Sequence, residues 1–529
     1  MGLYLNPGNK GFETILNGIY VDKTGLIDYV NSTLDTPMKL TSFSRPRRFG
    51  KSFAAKMLCA YYDKSCDSRA LFENMEISGK KSFEKHLNQY NVIYLDITRF
   101  ISTCTEINNV VCMIQVKVIE ELRTAYPNCV AAEESVLADA LFDVSHKTGN
   151  RFFVIIDEWD ALFREAKDNI ELQKEYVRLL RGLFKGGVAT DETIVGAYMT
   201  GILPIKKYGT ESALTDFREF TMLEPLVLAE YIGFTEQEVR KLCAEHDVSF
   251  EEMKLWYDGY SFSDIKSVYS PHSVMNAVIF KKMRNYWKSS ETFESLKDYI
   301  TSGFDGLKDS IIQMLGGQRV HVDTGSFQND LTSMNCRDDV LTLLIHLGYL
   351  AFDEMREEVY IPNLEVADAF KTAVKSTRWN EVIQALTQSE TLLQATINGD
   401  EKAVAEALEL AHETCASSIE YNDENSLSCA IMLAYYTARN DYEIFRELPA
   451  GKGFADYAFV PRRNTDKPAM IIELKYNRSA DTAIRQIHDN RYDGKLKSFS
   501  GKVILVGINY DKDAKGKDQK HHTCVIERM

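Results

Sequence analysis

The chain has 529 residues, 45% of them hydrophobic and 26% charged, which is more than one hydrophobic core sustains and leads us to expect about three domains. A formal net charge of −15 excludes broad electrostatic attachment to nucleic acid over the whole surface and leaves room for a local basic groove. Ten cysteines without a C-x-x-C pair suit a reducing compartment, and neither a signal pattern nor a membrane-length apolar run is found, so a cytoplasmic chain with no membrane partner is expected.

The first elements read as a short lead-in. Gly18 to Thr24 precedes an amphipathic helix over Leu26 to Val30, with Asp22 and Lys23 either bordering a base or forming a solvated turn. Met38 to Phe43 then predicts a strand. It runs into Ser44-Arg45-Pro46-Arg47-Arg48-Phe49-Gly50-Lys51-Ser52, and a helix follows from Phe53. A loop ending in Gly-Lys-Ser at a helix start is suited to phosphate. Gly50 lets the backbone approach, and the helix N-terminus offers unpaired N–H groups and partial positive charge. Lys51 would reach the β- and γ-phosphates of ATP, and the Ser52 hydroxyl would ligate Mg²⁺. The match to the phosphate-loop pattern departs at the first glycine, where Arg45 stands.

Asn91 to Ile97 is a second strand of the run-on kind that is buried on both faces of a parallel sheet. Val110 to Thr124 has helical spacing, and Cys59, Cys112 and Cys243 read as core residues. Arg151 to Ile156 is an apolar strand that ends in Asp157 and Glu158. Asp157 is placed to hold the Mg²⁺ shell and Glu158 to polarise an attacking water. An arginine on the helix around Tyr176 to Arg181 could serve a neighbouring subunit. Thr193 to Gly201 is a further strand, on which Thr200 either senses the γ-phosphate or caps the strand, and Glu219 to Leu223 could be a fifth.

From about residue 229 the pattern turns helical. The aromatic turn Trp256 to Phe262 reads as packing rather than as a base-stacking platform. Residues 286–370 suggest a small helical unit with a β-ribbon, winged-helix-like in outline, and residues 380–415 are helical. Near the C-terminus, Gly451 to Val460 predicts a strand carrying Asp456, a polar turn follows, and Ala469 to Lys475 returns. Glu473 and Lys475 share a face. With Asp456 beside them they form a minimal Mg²⁺-dependent phosphodiesterase set, with acids to hold metal and a lysine to orient water. A strand-edge salt bridge is the competing reading. Gln486, on the helix from Ala480, could reach the same site. Glu424 could complete the carboxylate set, with Glu420 as its competitor. His521-His522-Thr523-Cys524 reads as a polar strand end rather than as a metal site.

Together these stretches resemble a bacterial family that joins an AAA-ATPase-like domain to a PD-(D/E)XK nuclease-superfamily domain. Residues 45–52 resemble its nucleotide loop, which also lacks the first glycine, and Val154 to Asp160 its metal-binding strand. Tyr20 to Thr24 and Trp256 to Tyr260 resemble flanking signatures; Gly451 to Asp456 and Ile472 to Lys475 resemble the nuclease core. Phe454 departs from an arginine common in relatives. The resemblance implies nucleotide contacts from Arg45, Pro46, Arg47, Arg48, Phe49, Gly50, Lys51, Ser52, Asp157 and Thr200. It implies an α/β fold: a P-loop ATPase parallel sheet over 1–228, a helical lid and winged-helix-like connector over 229–375, and a smaller mixed α/β nuclease-like domain over 376–529. The function implied is ATP hydrolysis coupled to Mg²⁺-dependent cleavage of nucleic acid, with DNA favoured over RNA and a homo-oligomer as partner. The alternative is an ATP-switched regulator with a silent nuclease domain.

Overall fold

A computed structural model describes residues 2–205, 214–262, 265–287, 292–328, 334–416, 424–450, 453–462, 467–490, 503–512, 514 and 521–529. The first sheet is built from β1 (Leu40–Ser44), β2 (Asn91–Asp96), β3 (Phe152–Asp157), β4 (Ile194–Gly201) and β5 (Arg218–Phe220). Its order is β2-β3-β4-β1-β5, and every pairing is parallel. β1, β3 and β4 are buried along their whole length, which is why they read as unbroken apolar runs rather than as alternation. The helices α1 (Lys51–Tyr62), α2 (Ala161–Glu165) and α3 (Ile170–Phe184) follow the phosphate loop and β3. This order sets β4 between β1 and β3, so Thr200 on β4 neighbours both the loop strand and the acidic strand.

Cys59 and Cys243 lie in the core, but Cys112 is exposed. Its helix, Val110–Ala125, buries Val111, Ile114, Val118 and Leu122. Cys112 lies off that stripe, so apolar character near the helix start misplaced it.

After the sheet comes α4 (Glu236–His246), opened by a capping box between Thr235 and Glu238. α5 (Pro271–Phe280) carries proline in its first turn. The aromatic turn is packing, as expected. Gly259 has φ of +114°, and a Cβ there would lie 2.1 Å from the Pro362 carbonyl oxygen. Tyr260 donates to the Gly348 carbonyl at 2.6 Å. We expect Gly259→Ala to cost about 3 kcal/mol, because both the left-handed φ and the backbone clash must be relieved. Urea unfolding of the full chain measures it. The β-ribbon is β6 (Ala351–Asp353) paired antiparallel with β7 (Glu358–Tyr360), and α6 (Leu364–Lys375) follows.

The chain divides into two compact units, residues 1–287 with 321–366, and residues 288–320 with 367–529. The stretch 229–375 is thus shared between them. The second unit holds α7 (Asn380–Asn398), α8 (Glu401–Ala416) and α9 (Glu424–Ala434). Its sheet is β8 (Tyr442–Ala450), β9 (Gly453–Pro461), β10 (Ala469–Tyr476), β11 (Val503–Tyr510) and β12 (His522–Arg528), in that order. Only β10 and β11 pair in parallel. Leu393, Val404, Leu408 and Ile431 pack on Phe459, Met470, Leu474 and Ile508 to form its main core. On the other side Ile484 and Ile487 of α10 (Ala480–Asn490) cover Ile471 and Leu505. The histidines before Cys524 are polar strand-end groups. His522 is buried, with Nδ1 2.7 Å from Glu409 Oε2. Among the described residues no helix is long and apolar enough to cross a membrane.

Candidate functional site

The loop between β1 and α1 is shaped by Gly50, which caps the helix with φ of +94°. Lys51 follows and is buried. Its Nζ donates to the carbonyls of Arg45 and Pro46, both at 3.0 Å, and lies 3.5 Å from Glu158 Oε1. At the end of β3, Asp157 accepts from Thr200 Oγ1 at 2.5 Å and from the Tyr94 hydroxyl at 3.2 Å. Ser52 also hydrogen-bonds it. Burial raises the Asp157 carboxyl, against the hydrogen bonds from Thr200 and Ser52. Lys51, Ser52, Asp157, Glu158 and Thr200 are therefore brought together from α1, β3 and β4, where the sequence placed them.

Glu158 stands just past β3 with φ of +55°. Its Oε2 accepts from Arg164 at 2.7 Å. Burial alone would raise this carboxyl, but Lys51, Arg164 and Arg47 hold it below the usual carboxylate range. Arg164 also bonds Asp160 at 3.1 Å. Asp160 in turn accepts from the backbone N–H groups of Ile202 and Leu203 at 3.2 and 3.1 Å. Sequence reasoning missed Arg164 and gave Asp160 no role beyond ending the metal-binding strand. The available signal was their i,i+4 spacing, which places an acid and an arginine on one helix face.

The loop's other side chains are turned into packing. Arg45 is fully buried, lies between the rings of Phe43 and Phe262 at 5.0 and 4.8 Å, and donates to the Thr221 carbonyl. Burial pulls its guanidinium down to about 9. Pro46 is buried against Gly348, where a Cβ would come within 2.7 Å of its Cγ. Phe49 meets the Tyr260 ring edge-on at 5.4 Å. Arg48 donates to the Tyr286 carbonyl at 2.8 Å. Arg47 is half-buried, within electrostatic reach of Glu158. On α3, Arg178 and Arg181 are exposed.

Asp22 is exposed and Lys23 half-buried, and both are tied into the fold. Lys23 Nζ bonds Glu238 and the Glu230 carbonyl, each at 2.6 Å, and Asp22 accepts from the backbone of Thr24 and Glu76. Lys23 ties the lead-in segment to the start of α4 and Asp22 ties it to Glu76, long-range pairings that local sequence does not reveal.

In the second unit, β9 and β10 pair antiparallel from Tyr457 with Ile472. The next step of that register sets Asp456 opposite Glu473. Asp456 Oδ2 accepts from the Leu474 N–H at 2.7 Å, and Lys475 Nζ donates to Glu473 Oε1 at 2.9 Å. Glu473 is 1% exposed, and its Oε2 has no hydrogen-bond partner among the described residues. Burial and the neighbouring Asp456 charge push the Glu473 carboxyl up to about 7, against the pull of Lys475. An orphaned, buried carboxylate oxygen beside a second carboxylate fits a hard divalent cation. Gln486 lies half-buried on α10. Glu424 opens α9, but its side chain is outside the described residues, as are Glu420, Gly451 and Lys452.

The raised Glu473 carboxyl gives an expected result. A group whose folded pKa lies above its unfolded value binds its proton more tightly when folded. The metal-free protein should therefore lose stability as pH rises through about 7. A metal held by Glu473 would displace that proton, so its binding there should release close to one proton at about pH 6 and little at about pH 8. Titration calorimetry in buffers of different ionisation enthalpy reads this directly.

Residues 8–210 match the family described as predicted AAA-ATPase, and residues 423–519 match the PD-(D/E)XK nuclease superfamily. No curated protein matches. Among solved structures, the chain is similar to the Aeropyrum pernix ORC2 protein in its ADPNP-ADP complexes. The identity is 12%, over 68% of this chain and 96% of that chain, with a TM-score of 0.30. It is also similar to Cdc6p from Pyrobaculum aerophilum, at 9% identity over 67% and 93% of the two chains, with a TM-score of 0.24. The glycine-capped loop before α1, the acids ending β3 and the carboxylate pair across β9 and β10 accord with those two domain matches, and the chain is a fusion of an AAA-ATPase-like domain with a C-terminal domain of the PD-(D/E)XK nuclease superfamily.

Proposed function

We propose that the chain is an ATPase whose nucleotide cycle controls Mg²⁺-dependent cleavage of a nucleic-acid phosphodiester, DNA rather than RNA. The observation that carries the cleavage reading is the buried, unpartnered Glu473 Oε2 beside Asp456 and Lys475. Asp456 and Glu473 would hold Mg²⁺, with water completing its shell. A bound Mg²⁺ supplies Lewis-acid polarisation of the phosphoryl oxygen and a more acidic water. Lys475 places positive charge where the phosphorane's negative charge develops and orients the attacking water. Gln486 is placed on the helix covering this side of the sheet and would steady the same water.

At the other site the N–H groups at the start of α1 would cradle the phosphates of ATP, with the loop Arg45 to Gly50 holding that helix end in place. Lys51 would exchange the Arg45 and Pro46 carbonyls for the β- and γ-phosphates. Ser52 and Asp157 would hold the nucleotide's Mg²⁺, Thr200 would orient Asp157, and Glu158 would polarise water.

The second reading is an ATP-switched regulator with a silent nuclease domain. Cleavage of single- and double-stranded DNA and RNA, with Mg²⁺ or with chelator, decides between them. Cutting that needs Mg²⁺ supports the first. No cutting of any substrate supports the second.

A further inference from the structure

The chain crosses between its two units three times, after Trp287, after Val320 and after Val366. The first and the last of these lie beside one buried acid. Glu365, at the start of α6, is 1% exposed. Its Oε2 accepts from Ser273 Oγ on α5 at 2.7 Å, and its Oε1 accepts from the Tyr286 N–H at 2.7 Å. The Trp287 N–H also bonds it. The Glu365 carbonyl accepts from Asn285 Nδ2 at 3.0 Å. The segment it holds and α5 each reach the phosphate loop. Arg48 Nη1 donates to the Tyr286 carbonyl at 2.8 Å, and the His272 N–H faces the Arg48 carbonyl at 3.4 Å.

We propose that Glu365 is a positioning residue that joins the phosphate loop to both of these chain crossings, so that a change of the loop on nucleotide binding is felt at residues 285–287 and 365–370. The inference rests on reading the loop as a nucleotide site. The physical ground is that an acid held away from water needs its donors. Among the described residues, every donor to Glu365 lies on α5 or on the segment that contacts Arg48. The loop cannot shift Arg48 without shifting the Tyr286 peptide, and that peptide cannot move without releasing Glu365. Burial pushes the Glu365 carboxyl up to about 7, with Ser273, Tyr286, Arg48 and Trp287 opposing, so the acid is kept here against its own solvation cost.

Hydrogen exchange of the full chain tests this, with and without the β,γ-imido analogue of ATP and Mg²⁺. In the natural protein the analogue should change amide exchange at 281–287 and 364–370 by about tenfold. Glu365→Ala should bind the analogue within about threefold of the natural affinity and lose that change. Glu365→Gln keeps an acceptor for Tyr286 and a polar partner for Ser273, and should retain most of it. A residue that merely stabilised the fold would raise exchange in both nucleotide states alike. Unchanged exchange at both segments in the natural protein with analogue bound would overturn the proposal, whether or not the alanine variant folds. So would full transmission in Glu365→Ala. Absence of analogue binding would overturn the nucleotide reading, and this inference with it.

Discussion

Lys475→Ala is expected to lower the Mg²⁺-dependent cleavage rate about 10³-fold while leaving the protein folded. Lys475 donates to Glu473 at 2.9 Å and so places a positive charge beside the carboxylate pair. Removing it would withdraw charge from the developing phosphorane and orientation from the attacking water, together worth about 10³-fold. The loss should fall on kcat, because substrate held through its backbone would still bind. The fold survives for a specific reason. Glu473 already titrates near neutrality, so without its lysine it takes up a proton rather than remaining a buried, unpaired charge. Glu473→Gln separates the two roles. It should retain Lys475 and lose Mg²⁺ affinity. Single-turnover cleavage with Mg²⁺ titrated for each variant checks both expectations.

Lys51→Ala is expected to weaken ATP binding by roughly 100-fold, the equivalent of about 2.7 kcal/mol. Without nucleotide, Lys51 is satisfied by two loop carbonyls and Glu158. Its removal leaves those acceptors without their donor and leaves the phosphates without their lysine. Glu158 would keep Arg164 and Arg47, so the site should stay assembled and the loss should appear as affinity. Fluorescence titration with a labelled nucleotide reads it. Unchanged affinity would mean that the loop does not hold phosphate.

The parts of both sites that were legible in the sequence are those whose chemistry is local. Gly50-Lys51-Ser52 announces a helix start, and Asp157-Glu158 ends an unbroken apolar strand. Glu473 and Lys475 share a face because strands alternate. What was illegible depends on partners far along the chain. Lys23 reads as a surface charge until Glu238 arrives from α4. Arg45 reads as a basic loop residue, yet the rings of Phe43 and Phe262 enclose it. Glu365 carries no motif, and its importance comes from Ser273, Tyr286 and Arg48 converging on it. Arg164 showed only helical spacing to Asp160, and its bond to Glu158 required the left-handed turn after β3. Cys112 failed for the opposite reason, since apolar neighbours on a helix do not fix which way one residue faces.

The central claim is that ATP turnover in one unit licenses cutting by the other. It is tested most directly by comparing cleavage by the natural protein with cleavage by Glu158→Gln, each with Mg²⁺ and with or without saturating ATP. The account predicts that ATP speeds cutting by the natural protein about tenfold, and that the variant binds ATP but gains no such stimulation. Natural protein that cuts equally fast with and without ATP, or Glu158→Gln protein that ATP stimulates as strongly as the natural one, would contradict it.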